Sequence, residues 1–347
     1  MIKIGIDGKP LVARGAGVAR YVDGLLAGLA ALPHADVEFE VVTPASPRRT
    51  LPWVLWKLQL ATGMGYSVFH FPFYYPPLAP RCPVTVAIHD VLVLEHPEWF
   101  PSALVNPLRL LIPRGARRAA AVFTGSRSVA DAIAERCRIP RACVHLTGYG
   151  VDRARFSPPP PERLGKIRER YGLQRPFLLQ VGALEARRGT DLAIAAVASL
   201  RERYADLELV LVGEPRSHVS VLEQPPPWVR RLGWVGDADL PGLYAGASAV
   251  LAPSRGEGFD LPVLEALASG AVVVASDIPV HGEHFAAAVE SFADGNAEAL
   301  ADAIATVLEG SERAAALRAA GPRLAAGFDW KDVACRHLEL WRDVGQG

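Results

Sequence analysis

The sequence predicts an α/β fold in two consecutive halves, each a parallel sheet covered by helices. Three observations predict it. Short apolar runs alternate with helical patterns along most of the 347 residues, which is the signature of strands joined by helical crossovers. The alternation breaks at Gly148-Tyr149-Gly150-Val151-Asp152 and the run Pro158 to Pro161, then restarts. In each half a glycine- or arginine-bearing loop stands between the first strand and its helix, as Gly15-Ala16-Gly17 and as Arg187-Arg188-Gly189.

Taken in order, Lys3 to Asp7 reads as the first strand, and Val18 to Ala30 as a helix behind a Gly-rich turn that can admit a phosphate or sugar close to the backbone. As a dinucleotide fingerprint the turn fails, because Gly15-x-Gly17-x-x-Arg20 lacks the third glycine and its lead-in from Gly8 is long. Strands follow at Val37 to Thr43, Ser67 to Phe71, Val84 to His89, Ala121 to Thr124 and Val144 to Thr147. His89-Asp90 closes the fourth of these six, at the carboxyl edge where open α/β sheets keep their ligands. Phe100 to Ala119 mixes Leu and Ile with Arg109, Arg114, Arg117 and Arg118, so it is a candidate for contact with anionic lipid or an acceptor phosphate. Its Pro107 and Pro113 are expected to interrupt any continuous helix.

In the second half, strands are expected at Phe177 to Val181, Leu207 to Val212 and Val229 to Trp234, with helices at Thr190 to Tyr204 and Ala238 to Ala245. Asp237 stands where the latter needs an N-cap. Asp237-Ala-Asp239 also spells a DxD metal motif, but the N-cap role accounts for Asp237, and His281-Gly-Glu283-His284 could mimic a metal pair but has no third ligand in view, so no metal is assigned. The helices Asn296 to Glu309, Glu312 to Ala326 and Trp330 to Val344 complete the chain.

The densest chemical signal lies in residues 247–285. Ala247 to Pro253 reads as a buried strand opening into the loop that carries Glu257, and Pro262 fits the first turn of a helix ending at Gly270. Backbone N–H groups of Gly258 to Leu261 would then face a ligand at a helix N-terminus. Glu265 falls off the apolar stripe Val263, Leu264, Leu267 and is not at a capping position, so a ligand hydroxyl is one account of it and a solvated surface acid is the other.

The spacing Glu-Gly-Phe-x-Leu-Pro-x-x-Glu-Ala resembles the signature of the retaining GT-B glycosyltransferases of family 4. The resemblance implies two Rossmann-like domains facing across a cleft, with the terminal helix crossing back onto the first. The domains would be 1–157 with helix 330–347, and 158–329. It implies that Glu265 binds ribose hydroxyls, and that Glu257 with Gly258, Phe259, Asp260 and Leu261 holds donor sugar and diphosphate. It places Gly15 and Gly17 beside the donor, His89 at the reacting centre, Arg187 and Arg188 on the diphosphate, and Asp237 near the base. The family usually has glycine where Asp260 stands, asparagine at Tyr149, a lysine at Arg188, and in many members an arginine near Ala183.

The implied activity is metal- and cofactor-independent transfer of a hexose or deoxyhexose, with retention, from a nucleoside-diphosphate sugar. GDP-mannose or a UDP-hexose is the expected donor, and a glycan, a lipid-linked sugar or a small molecule the acceptor. The rival readings are a non-catalytic scaffold or binding subunit and a GT-B sugar-nucleotide epimerase. Net charge is zero, yet residues to Pro158 carry 18 Lys and Arg against 11 Asp and Glu, and the rest the reverse excess. Cys82, Cys137, Cys143 and Cys335 form no CxxC pair. With no secretory signal expected at Met1, and with Leu58 to Pro80 uncharged but broken by Gly and Pro, a cytoplasmic protein is expected, peripheral on the inner membrane face at most through residues 100–119, with no nucleic-acid partner.

Overall fold

The structure is a computed structural model and describes residues 1–12, 17–33, 36–44, 57–74, 76–77, 79–215 and 222–346. It divides into one compact unit of Met1–Gly150 with Phe328–Gly347 and a second of Val151–Gly327. The break falls between Gly150 and Val151, ahead of the expected boundary at 157, so the turn closed by the Asp152 carbonyl on the Arg155 and Phe156 N–H groups belongs with the second unit.

The first unit holds a six-stranded parallel sheet in the order β2-β1-β3-β4-β5-β6. Its strands are β1 (Ile2–Asp7), β2 (Val37–Val42), β3 (Val68–Phe71), β4 (Val84–Ala87), β5 (Ala121–Thr124) and β6 (Val144–Leu146). Every residue of β3, β4 and β5 is buried, as expected for central strands covered on both faces. The helices are α1 (Gly17–Ala30), α2 (Ser102–Arg118) and α3 (Arg127–Cys137), the last capped by Ser126 Oγ. The expected interruption of α2 does not occur: it runs unbroken with Pro107 and Pro113 inside it. The carbonyls those prolines leave unpaired belong to Ala103 and Arg109, both exposed, so solvent satisfies them.

The second unit repeats the pattern with order β12-β11-β10-β7-β8-β9. Its strands are β7 (Phe177–Val181), β8 (Glu208–Val212), β9 (Val229–Gly233), β10 (Ala249–Ala252), β11 (Val273–Ser276) and β12 (Glu290–Phe292). Before, between and after them run α4 (Pro161–Arg170), α5 (Thr190–Leu200), α6 (Leu240–Gly246), α7 (Leu261–Ala268), α8 (Pro279–His284), α9 (Ala297–Glu309) and α10 (Ser311–Ala325). Leu178, Leu209, Leu251 and Val274 from the sheet pack with Val197 of α5 and Ile304 of α9 in one apolar core.

The last helix, α11 (Trp330–Gln346), belongs to the first unit, against α1. Gly24 and Gly28 make that approach feasible. A Cβ on Gly24 would lie 2.0 Å from the Trp330 ring, and one on Gly28 2.2 Å from the Trp330 carbonyl oxygen. α11 also inserts polar groups into the core, where each finds a partner. Trp341 Nε1 donates to Thr85 Oγ1 (3.0 Å), and Thr85 Oγ1 lies 2.9 Å from His70 Nδ1. Tyr21 Oη lies 3.4 Å from His70 Nε2 and 2.7 Å from His337 Nε2, and His337 Nδ1 faces the Val333 carbonyl at 2.7 Å. One proton arrangement satisfies every atom: each group donates to the next from Trp341 to Val333, with both histidines neutral. Burial favours that state, holding His70 well below the ordinary imidazole range and His337 down to about 3.

Candidate functional site

In the second unit the loop 253–260 joins β10 to α7 at the carboxyl edge of the sheet. Asp260 precedes the helix in a left-handed conformation, φ 76°, ψ 67°, and makes no side-chain cap bond. Aspartate reaches this region more readily than most non-glycine residues. Glycine would adopt this backbone without strain, and the Asp260 carboxylate, unused as a cap, turns elsewhere.

It turns to Arg188 and His281. Arg188 Nη1 lies 3.1 Å from Asp260 Oδ1 and 2.9 Å from Glu257 Oε1, so one nitrogen bridges two carboxylates. Arg187 Nη1 donates to Glu257 Oε2 at 2.9 Å and to the Gly256 carbonyl at 3.1 Å, while its Nε donates to Glu185 Oε2 at 2.9 Å. Ser254 Oγ also donates to Glu257, to Oε1 at 2.8 Å. Gly189 supports this cluster: its φ is 64°, and a Cβ there would lie 1.9 Å from the Pro253 carbonyl oxygen. The arginines expected on a diphosphate are therefore closed on carboxylates. Arg188 still has hydrogen-bonding capacity, because its buried Nε has no partner among the described residues.

His281 stands 3.1 Å from Asp260 Oδ2 through Nε2 and 2.9 Å from the Ser276 carbonyl through Nδ1. Both ring nitrogens face acceptors, so the imidazolium form satisfies the geometry. Burial opposes charge on either group, but the Asp260 bond and charge outweigh it and raise the His281 pKa. For Asp260, burial alone would raise the pKa, and the Arg188 and His281 charges bring it down to about 2. His281 of the sequence His281-Gly-Glu283-His284, to which no metal is assigned, is engaged by this ion pair. Among the described residues no group of three or more His, Cys, Asp or Glu side chains converges as a metal cage.

Glu265 is buried, not a solvated surface acid, and accepts a bond from Tyr244 Oη at 3.2 Å. Phe259 is buried, with its ring 5.5 Å from that of Phe285. Leu261 begins α7, and Gly258 lies buried in the loop ahead of it. Asp237 is not the N-cap of α6: that position is Asp239, which makes no cap bond and pairs with Arg170 at 2.7 Å. Asp237 pairs with Arg155 at 3.0 Å instead, so the two acids of the DxD sequence serve different arginines.

His89 and Gly17 belong to the first unit, and Gly15 lies outside the described residues. Gly17 opens α1 and is exposed. His89 sits two residues past the end of β4. Its Nε2 lies 2.8 Å from the Pro72 carbonyl and so carries the proton, leaving Nδ1 to accept from Tyr149 Oη at 2.5 Å. Desolvation pushes its pKa down to about 4, consistent with a neutral ring. Both nitrogens are engaged by protein, so the ring is oriented by Tyr149 and Pro72.

Sequence reasoning passed over Ser254, Glu185, Tyr244 and the hydroxyl of Tyr149 as partners. Ser254 and Glu185 lay within three residues of residues already singled out, which was the one available signal. The Tyr149–His89 and Tyr244–Glu265 pairs join positions 60 and 21 residues apart and leave no local pattern.

Two family descriptions match this chain: Glycosyltransferase Family 4 over residues 15–155 and Glycosyl transferases group 1 over residues 175–310. A glycogen synthase of Mycobacterium tuberculosis is 30% identical over 275 residues, 76% of this chain and 64% of that protein. The chain thus spans just under two thirds of that relative's length. The GDP-mannose-dependent alpha-(1-6)-phosphatidylinositol monomannoside mannosyltransferase of the same species is 29% identical over 336 residues, 81% of this chain and 85% of that protein. The crystal structure of Anabaena HepE in complex with UDP-glucose is similar in fold, with TM-score 0.77 and 20% identity over 99% of this chain and 100% of that one. With two parallel six-stranded sheets and both family matches in chain order, the protein belongs to the family 4 glycosyltransferases of the GT-B fold.

Proposed function

We propose that the protein is a retaining glycosyltransferase that moves a hexose or deoxyhexose from a nucleoside-diphosphate sugar to an acceptor hydroxyl without a metal ion or other cofactor. The observation that carries this reading is Glu257, held by Arg187, Arg188 and Ser254 at the entry to α7 within the family's own motif. In the reaction the bond from the sugar's anomeric carbon to the diphosphate breaks, and the acceptor oxygen bonds to that carbon on the same face. The acceptor proton leaves with the diphosphate. Arg187 and Arg188 would balance charge on the departing diphosphate, Glu265 would bind ribose hydroxyls, and His89, oriented by Tyr149, would position the donor sugar.

GDP-mannose and UDP-hexoses are the donors of choice, supported by the GDP-mannose dependence of the similar mycobacterial mannosyltransferase and by the UDP-glucose bound to HepE. The acceptor would be a glycan, a lipid-linked sugar or a small molecule, met on the cytoplasmic side. No described helix is long and apolar enough to cross a membrane.

A thermal-shift panel of GDP, UDP, dTDP, CDP and ADP with and without EDTA tests the reading, paired with sugar-release and transfer assays. Ligand at 100 times Kd adds about 2.7 kcal/mol to stability. One nucleotide should stabilise the chain equally with EDTA present, and its sugar conjugate should turn over. Binding without hydrolysis or transfer would instead mark a scaffold subunit.

A further inference from the structure

The first unit carries a second, separate concentration of charge. Arg109, Arg114, Arg117 and Arg118 of α2 and Arg136 and Arg138 at the end of α3 line one concavity of about 490 Å3, with no carboxylate in its wall. α2 contains no Asp or Glu at all. Arg117 Nε is spent on the Cys137 carbonyl at 2.8 Å and Arg136 lies 3.7 Å from Glu95. The guanidinium groups of Arg109, Arg114, Arg118 and Arg138 have no hydrogen-bond or ion-pair partner among the described residues. Elsewhere in the molecule exposed arginines such as Arg155, Arg170, Arg313 and Arg342 are each met by a carboxylate. Packing four unneutralised guanidinium groups around one hollow costs repulsion that a facing layer of anions removes.

Apolar side chains identify the kind of anion. Leu110 lines the same concavity and is 68% exposed, and Leu104 on the same helix is 46% exposed. A soluble phosphate would engage one or two guanidinium groups and leave both leucines in water. A bilayer surface rich in phosphodiester headgroups meets all the arginines at once and takes leucine tips at its acyl boundary.

We propose that this arginine basin docks the protein on an anionic lipid surface, with Leu104 and Leu110 entering the interface. The surface is independent of the donor-binding reading, since none of its residues lies in the Glu257 cluster.

The test is co-sedimentation of the full chain with phosphatidylcholine vesicles, with and without about 30 mol% phosphatidylglycerol, at about 0.1 M salt. The wild type should bind the anionic vesicles, release them as salt rises, and leave neutral vesicles alone. Arg109→Gln, Arg114→Gln and Arg118→Gln together remove only unpartnered groups. The triple variant should keep the wild-type melting temperature and bind about a hundredfold more weakly. Leu110→Gln should weaken binding several-fold without changing its salt dependence. Equal binding of the triple variant and the wild type would overturn the proposal. So would displacement by millimolar pyrophosphate with Leu110→Gln unaffected, which would assign the basin to soluble anions. Binding to RNA in preference to anionic vesicles would overturn it as well.

Discussion

Asp260 and His281 form a buried ion pair at 3.1 Å, and the aspartate holds a left-handed backbone, φ 76°, in doing so. Two costs, a strained φ and a desolvated charge, are offset by one arginine and one imidazolium.

Asp260→Asn keeps a residue that tolerates this backbone but removes the charge that Arg188 and His281 face. Breaking one side of a buried pair costs about 3 kcal/mol, and urea unfolding should show a loss of that order. Asp260→Ala should lose about 1 kcal/mol more, because alanine enters the left-handed region at greater cost. Equal losses would mean that the strain is relieved locally.

The two units should respond to pH with opposite signs near neutrality. The His281 pKa is raised in the fold, so its contribution is full below the unfolded value near 6.5 and fades as pH climbs through the folded value. Asp260, held down to about 2, contributes above the unfolded value near 4 and loses this as pH falls toward 2. In the first unit His89 and His337 are lowered to about 4 and about 3. Their unfolded forms take up protons below about 6.5 while the fold does not, so on full acidification His89 withdraws up to about 3 kcal/mol and His337 up to about 5 kcal/mol. Hydrogen exchange between pH 7.5 and pH 5 should therefore show residues 1–150 opening more easily at pH 5 and residues 151–327 holding or gaining protection. Matching changes in both units would refute the assignment.

Glu265→Ala should weaken nucleotide-sugar binding by about 10- to 100-fold, as expected for a charged hydrogen-bond acceptor, with little change in turnover of bound donor. Glu257→Gln should mainly lower turnover, about 100-fold, because Arg187 and Arg188 lose the anion that aims them. Calorimetry and initial rates separate the two. Equal, negligible effects from both would remove the site assignment.

Tyr149→Phe removes the donor that faces His89 Nδ1, leaving that nitrogen unsatisfied at a cost of about 1–3 kcal/mol. Nitrogen-15 NMR of the His89 ring should show the Nε2–H tautomer in the wild type and a changed Nδ1 shift in the variant, with turnover reduced. An unchanged spectrum would show that Pro72 alone sets the tautomer.

Much of this was legible in the order of residues. Strand positions followed from short β-branched runs, the site loop from a spaced motif, and the turn at Gly148 to Asp152 from its composition, because each is a property of neighbouring residues. Where local rules misled, a tertiary fact overrode them. α2 tolerates Pro107 and Pro113 because the carbonyls they orphan face solvent, and Asp237 is drawn to Arg155 and so does not cap α6. Helical position left Glu265 open between a solvated acid and a ligand-facing one, and its burial with a bond from Tyr244 removes the first account.

The family resemblance pointed to Glu257, Arg187, Arg188 and Asp260, but not to who holds whom. Their pairing, the protonation of His281, the tautomer of His89 and the grouping of six arginines from two helices depend on which segments the folded chain brings within about 3 Å of one another. Periodicity records the direction of each side chain from its own backbone. Ionisation and hydrogen bonding record the distance to groups tens or hundreds of residues away, and only the packed sheets and their loops set that distance.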